Sequence, residues 1–233
     1  MRLAILLCLT AGFVNAAGFL SFAVLTTNVT GHAALLAVKL IEGNLRSARM
    51  VALWLFLFLA GAFLSGLYIN KAGRDKPYAY TIPILVEIIL LLFVGSMGYR
   101  FDGSVATTEY FAGSLLFAMG MQNALVSMVS GSVVRTTHLT GIFTDLGIDL
   151  SAVVLLSKDN KQLPGMRKRI LLRIIIIFFF LSGGIIGGWS FSRLQYRSFY
   201  IPVCLLVIAM FYDFLRIRLA RWHSKMRLKN AKG

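Results

Sequence analysis

The sequence predicts an all-α integral membrane protein with about six transmembrane helices, arranged as two inverted three-helix repeats with a helix break after the first helix of each. Of the 233 residues, 58% are hydrophobic and only 14% are charged. Several apolar stretches reach the roughly 20 residues that an α-helix needs to cross about 30 Å of hydrocarbon. A soluble domain of this size would carry more charge and shorter apolar stretches.

The spans are predicted from the apolar stretches and from the polar, Gly-containing or Pro-containing segments between them. They fall at residues 3–25, 49–70, 79–98, 111–133, 170–192 and 198–215. The whole chain, 1–233, is then one integral membrane domain. Residues 1–98 form its first half, residues 111–215 form its second half, and residues 216–233 form a basic tail.

Orientation is predicted from the Lys and Arg residues, which give the chain a net charge of +15. With six spans, Arg2, the 71–77 loop, the 158–169 segment and the tail fall on one side, which carries most of the basic residues. The positive-inside rule places that side, and both termini, in the cytoplasm. This distribution argues against a nucleic-acid partner, although a tail that binds RNA or anionic lipid remains an alternative.

An internal repeat is the basis for the two halves. Residues 12–16 (GFVNA) resemble residues 120–124 (GMQNA), and 27–31 (TNVTG) resemble 137–141 (THLTG). Glycine-containing helices and an Ile-Pro pair follow in the same order, at 60–66 and 183–188, then at 82–83 and 201–202. Because each copy has three spans, the copies are expected to be inverted, with the two Thr-Gly breaks at opposite ends of the protein.

Each Thr-Gly break, with Thr30 or Thr140, precedes an apolar stretch that is too short to span. These stretches, 32–41 and 142–156, are expected to form short helices that lie in the interface or dip into the protein. Unwound backbone at membrane depth must face protein or a water-filled cavity, and such breaks build the substrate sites of many transporters. An ordinary span end capped by Thr is the alternative.

Amide side chains lie well inside the predicted spans at Asn15, Gln122 and Asn123. Amides in hydrocarbon require hydrogen-bond partners, so they either join helices or contact a ligand. Their recurrence in both halves favours a shared site.

Acidic residues are the other candidates. Glu87 lies mid-span between apolar triplets, where a carboxyl group is costly and is either a proton carrier or the partner of an Arg or amide. Asp145 and Asp149 share one helix face and either bind a cation or pair with Arg135 or the basic loop. No spacing of metal ligands, nucleotide-binding loop or catalytic triad occurs, so we expect no metal, no cofactor and no enzyme activity.

The glycines at 183–184 and 187–188 form two overlapping Gly-x-x-x-Gly patterns, which allow helices to approach closely. The contact lies either within one chain or between two, which leaves a homodimer open.

The repeated motifs also resemble those of a known family. Residues 11–16 with 28–32, and residues 119–124 with 135–141 and 144–147, resemble the YoaK-like family of bacterial membrane proteins of unknown function. The resemblance covers nearly the whole chain and implies a bacterial inner (plasma) membrane protein. Many members carry Asp where this chain has Asn15, and Asn where it has His32. If that Asp is a proton site, this chain lacks it.

These features favour a secondary transporter or permease for a small solute or ion, in which two inverted halves rock about a site near the membrane midplane. The predicted substrate-binding residues are Asn15, Thr30, Glu87, Gln122, Asn123, Thr140 and Asp145. The alternative is a non-transporting assembly factor or sensor that recruits a partner. Beyond the lipid bilayer, the sequence names no partner and no substrate.

Overall fold

The computed structural model describes residues 2–73, 79–129, 139–155 and 163–211. Within these ranges the chain forms helices and no strand. They are α1 (Arg2–Phe22), α2 (Val29–Ile41), α3 (Leu45–Ala72), α4 (Thr81–Met97), α5 (Val105–Val129), α6 (Leu139–Leu155), α7 (Leu163–Leu194) and α8 (200–211). Two 3₁₀ turns, Gly98–Arg100 and Gln195–Phe199, follow α4 and α7. The basic tail lies outside the described residues.

Five helical stretches are long and apolar enough to cross a membrane: Leu3–Phe22, Leu45–Ala72, Thr81–Arg100, Val105–Met128 and Leu163–Phe211. The last contains 49 residues, far more than the roughly 20 that one crossing requires. The turn at Gln195–Phe199, where Gln195 has φ +50°, divides it into α7 and α8. The prediction of an all-α membrane protein is confirmed.

The helix ends differ from the predicted spans in two instructive places. α1 ends at Phe22, earlier than predicted, because the chain unwinds over residues 23–28. α7 begins at Leu163, inside the segment that was expected to be a loop. Pro164 does not prevent this, because the first turn of a helix needs no N–H donor from that residue.

Each of the two most extensive helix pairs joins a helix of the predicted first half to a helix of the predicted second half: α1 lies along α7, and α3 lies along α5. Glycines bring the backbones together. A Cβ at Gly183 would lie 2.1 Å from the carbonyl oxygen of Leu9, and one at Gly61 would lie 2.1 Å from that of Phe117. The Gly-x-x-x-Gly pattern that begins at Gly183 is therefore used inside the chain.

The first helices of the two halves run antiparallel. The Phe22 ring at the end of α1 stacks on Phe111 near the start of α5, with centroids 5.6 Å apart. Near the other ends, Gln122 Nε2 donates to the carbonyl oxygen of Leu7 at 2.8 Å. Motifs that are equivalent in sequence therefore occupy antiparallel helices.

The surface of the bundle is apolar. Large exposed side chains, among them Phe56, Phe63, Phe178 and Ile185, project from α3 and α7, whereas Leu115, Leu116 and Leu206 are fully buried. An exposed apolar belt of this kind is disfavoured in water and is what the hydrocarbon of a bilayer would cover.

Candidate functional site

The chain folds back after α1. Ala23 adopts φ +55°, and the return segment 23–28 brings the Thr27 N–H group to Asn15 Oδ1, which accepts a hydrogen bond at 3.1 Å. Asn28 then caps α2, because its Oδ1 accepts from the Gly31 N–H at 3.0 Å. The amide of Asn15 thus satisfies unwound backbone at the level of a residue inside the first span.

His32 holds the start of α2 against this return segment. Its Nε2 lies 2.8 Å from the carbonyl oxygen of Leu25, and its ring packs edge-on against Trp54 of α3 with centroids 5.3 Å apart. His32 is buried. A structural role in fixing the turn accounts for these contacts.

A cavity of about 460 Å³ lies between the two halves. Its lining comes from α1, the return segment, α3, α5, α7 and the first turns of α2 and α6: Asn15, Leu25, Thr27, Asn28, Val29, Thr30, Phe58, Asn123, Leu139, Thr140 and Phe180. Eight of these residues fall into pairs that are related by the internal repeat: Asn15 and Asn123, Val29 and Leu139, Thr30 and Thr140, and Phe58 and Phe180.

The cavity has a mixed polar and apolar lining, and none of the described residues that line it is charged. Asn123 Oδ1 is buried and has no hydrogen-bond partner among the described residues. The N–H groups of Val29 and Thr30, in the first turn of α2, have no acceptor in the described part of the chain. The N–H groups of Val29 and Thr30 are donors that a ligand or water in the cavity can satisfy.

Four of the predicted site residues are brought together here: Asn15, Thr30, Asn123 and Thr140 all line the cavity. This differs from the expectation that the two Thr-Gly breaks lie at opposite ends of the protein. The reason lies in the return segment 23–28, which turns back along α1 to reach Asn15 instead of ending at the surface.

The other three predicted residues are not among the lining residues. Gln122 is fully buried and joins α5 to α1 through the Leu7 carbonyl, while its Oε1 has no partner within the described ranges of the chain. Glu87 lies on the buried face of α4, 1% exposed, and neither carboxyl oxygen has a hydrogen-bond partner in the described structure. A role for Glu87 in function stays a prediction.

Asp145 belongs to an ion-pair cluster between α6 and α7. Its Oδ2 lies 3.2 Å from Arg173 Nη2, and Asp149 bonds Arg173 Nη1 and lies 3.4 Å from Arg169 Nε. Both partners, Arg169 and Arg173, lie four residues apart on α7. Arg169 is the last residue of the basic 158–169 segment that the sequence offered as a partner, and Arg135, the other partner it offered, lies outside the described residues. The cluster fixes α6 to α7 away from the cavity lining.

Sequence reasoning missed Phe58, Phe180 and Asn28. The two rings come from the helices that carry the close-packed glycines, three residues before Gly61 and Gly183 in each half. That shared spacing was the available signal, and it becomes visible only when the two glycines are aligned. No group of three or more potential metal ligands occurs within the described part of the chain.

The fold and the cavity define a polytopic α-helical membrane protein whose helix bundle contains a cavity lined by both polar and apolar side chains. The chain belongs to the family described as "Protein of unknown function (DUF1275)", whose profile matches residues 3–212. It is similar to the UPF0700 transmembrane protein YoaK of Bacillus subtilis, with 26% identity over 204 residues. That alignment covers 86% of this chain and 88% of the relative. No solved structure matches.

Proposed function

We propose that this protein is a secondary transporter or permease for a small solute, and that the cavity between the halves is its substrate site. The observation that carries the proposal is the paired lining: Asn15 and Thr30 from the first half meet Asn123 and Thr140 from the second. A site built from equivalent residues on two antiparallel sets of helices lets these sets rock against each other while both keep contact with the substrate.

The helix packing supports this mechanism. The α1–α7 and α3–α5 pairs each join one half to the other, and both are held by the same close glycine contacts. Each pair can therefore move as a rigid unit, with the cavity between the units. α1 and α5 connect the pairs by contacts such as the Gln122 hydrogen bond to Leu7, and α4 packs on both α5 and the Gln195–Phe199 turn.

Two polar features outside the cavity also have proposed roles, one in proton binding and one in setting the orientation of the chain. Glu87 is proposed as a proton-binding group on α4, because an unpaired carboxyl group in a span is costly to retain without a function. The basic residues of the 71–77 loop are proposed to face the cytoplasm with both termini, in a bacterial plasma membrane. We propose no enzymatic step and no nucleic-acid partner.

The test begins with a thermal-shift screen of the detergent-purified protein against small solutes at several pH values. A ligand that binds only the folded state stabilises it by about 2.7 kcal/mol at 100 times its Kd. Hits are then followed as uptake into proteoliposomes. Asn123→Ala is expected to abolish both the thermal shift and the uptake.

Ser192→Ala is the matched control, because the Ser192 hydroxyl bonds its own helix at the Gly188 carbonyl and is exposed away from the cavity. It should behave as the wild type. Specific binding without any uptake or exchange would instead support a sensor. Uptake that survives Asn15→Ala and Asn123→Ala together would remove the cavity from the mechanism.

A further inference from the structure

A second cavity, of about 550 Å³, opens where the end of α4 meets the turn between α7 and α8. It shares no lining residue with the cavity between the halves. Its lining includes two arginines and three tyrosines: Arg193, Arg197, Tyr99, Tyr196 and Tyr200. We call this cavity the end groove.

The end groove carries positive charge that the described part of the chain does not neutralise. Arg193 and Arg197 are exposed and pair with no described carboxylate, and no acidic residue is among the described residues that line the groove. A third arginine lies at its edge, because Arg100 Nε donates to Tyr99 Oη at 3.2 Å. Unpaired guanidinium groups favour an anion, and their planar forks match the geometry of a phosphate group.

The undescribed segments do not adjoin the end groove along the chain. Residues 79–129 and 163–211, which contain all of its lining, are described without a gap. About 45 Å of α7 separates Arg193 from Leu163, and about 17 Å of α8 separates Tyr200 from residue 211. The positive charge of the groove is therefore judged against its complete neighbourhood in the chain.

Packing fixes the backbone that carries both arginines. Gln195 adopts φ +50°, which turns the chain sharply between Arg193 and Arg197. The Tyr196 ring lies against Gly98 at the end of α4, so closely that a Cβ there would have no room. That ring also meets the ring of Phe191 edge-on, with centroids 5.6 Å apart. The groove is thus formed by packed elements and not by two freely moving surface residues.

The end groove opens beside the apolar surface of the bundle. Leu194 and Tyr200 line it and are exposed, and Met97, next to the lining residue Ser96, is exposed as well. Tyrosines, with an apolar ring and a polar tip, are typical of the boundary between hydrocarbon and headgroups. A ligand that places an anionic group at the arginines would therefore have an apolar surface beside it for hydrocarbon chains.

We propose that the end groove binds the phosphodiester headgroup of an anionic phospholipid. Arg193 and Arg197 donate to the phosphate oxygens, and the acyl chains lie on the apolar surface beside Leu194. In the orientation proposed above, this end faces away from the cytoplasm, where the positive-inside rule does not account for basic residues. The inference is independent of transport, because it concerns a different cavity.

The full-length protein, stripped of lipid in detergent, is titrated with phosphatidylglycerol, and bound lipid is counted by native mass spectrometry. Phosphatidylcholine with the same chains is the headgroup without net charge, and it should bind at least about tenfold more weakly. Inorganic phosphate and glycerol 3-phosphate are the soluble sources of the same chemistry. They should show no binding at the same concentrations, because they have no chains to lie on the apolar surface.

The double variant Arg193→Gln with Arg197→Gln should weaken binding of phosphatidylglycerol at least about tenfold, since each basic side chain near an anionic lipid contributes about fivefold in affinity. Arg46→Gln with Arg49→Gln is the matched control. It removes the same charge from two exposed arginines of α3 that lie outside the groove, and it should leave binding intact. A thermal melt checks that each variant is folded.

Equal losses in the two double variants would indicate general attraction to a basic surface and would overturn the site. Equal binding of the two phospholipids would also overturn it. Glycerol 3-phosphate binding as tightly as phosphatidylglycerol would overturn the lipid as the source of the phosphate. If the groove variant does not fold, each arginine is changed to glutamine alone, and the absence of any loss in both single variants overturns the proposal.

Discussion

Glycine at position 183 permits the close approach of α7 to α1, and its replacement by alanine tests the packing of the whole bundle. A Cβ there would lie 2.1 Å from the Leu9 carbonyl oxygen and 2.9 Å from its carbon. Ordinary van der Waals contact begins at 3.4 Å, so the two backbones must separate by about 1.3 Å. Backbone atoms cannot turn aside as a side chain can.

The cost follows from this separation. Overpacking of a close contact typically costs about 1 to 3 kcal/mol, whereas alanine gains up to about 1 kcal/mol over glycine in helix propensity. With the full propensity gain, the net loss lies between about 0 and 2 kcal/mol, and we expect Gly183→Ala in the upper part of this range because its clash is with backbone atoms. For a chain of this length, that corresponds to a fall in Tm of up to roughly 8 °C.

The neighbouring glycine provides the control. A Cβ at Gly184 would lie 3.6 Å from the Gly12 carbonyl oxygen, an ordinary contact, so Gly184→Ala should be neutral or slightly stabilising. Thermal unfolding in detergent, followed by circular dichroism, measures both variants. Gly61→Ala should reproduce the loss at Gly183, because its Cβ would lie 2.1 Å from the Phe117 carbonyl oxygen. Equal effects of the changes at 183 and 184 would refute the α1–α7 packing.

Three further predictions concern polar groups. Asp149→Asn breaks a mostly buried ion pair with Arg173 and should lower the free energy of unfolding by about 1 to 3 kcal/mol. Arg169→Gln removes an arginine that is 52% exposed, so it should lower that free energy by less than about 1 kcal/mol. Denaturant unfolding in detergent compares the two variants. Gln122→Leu should change stability by less than about 1 kcal/mol and leave ligand binding intact, since Gln122 is not among the lining residues; loss of binding in calorimetry would place it in the site. Hydrogen bonds from Thr107 and Ser104 lower the pKa of Asp102 to about 2. The stability that this carboxylate gives to the start of α5 is therefore complete above about pH 3.8, the ordinary value, and is lost as the pH falls through 2; hydrogen exchange at residues 104–108 should show unchanged protection from pH 7 to 4.

The repeated motifs can be recognised from the sequence because they lie at positions where membrane chemistry restricts the choice of side chain. Amides at 15 and 123 must be satisfied in hydrocarbon, and Thr-Gly pairs at 30–31 and 140–141 begin short helices. The spans can be recognised from their length and hydropathy, because hydrocarbon requires each crossing helix to be long and apolar. These are local requirements, so each can be read from a stretch of 5 to about 20 residues.

Other features depend on which helices meet. Hydropathy does not reveal that α1 packs on α7, because an apolar helix face is equally compatible with lipid and with protein. The choice of helix partner depends on the close backbone approach that Gly183 and Gly61 allow. The same ambiguity explains why the sequence groups Glu87, Gln122 and Asp145 with the cavity residues: polarity within an apolar stretch signals burial, but not in which part of the bundle.

The sequence by itself determined that this chain is a helical membrane protein with a repeated motif, because crossing hydrocarbon imposes length, hydropathy and satisfied amides on each segment alone. Only the tertiary structure decided that the four repeated polar residues share one cavity. These residues meet because the return segment 23–28 is held by the hydrogen bond from Thr27 to Asn15, and because α1 packs on α7 and α3 packs on α5. Both depend on contacts between residues far apart in the chain, which no single segment encodes.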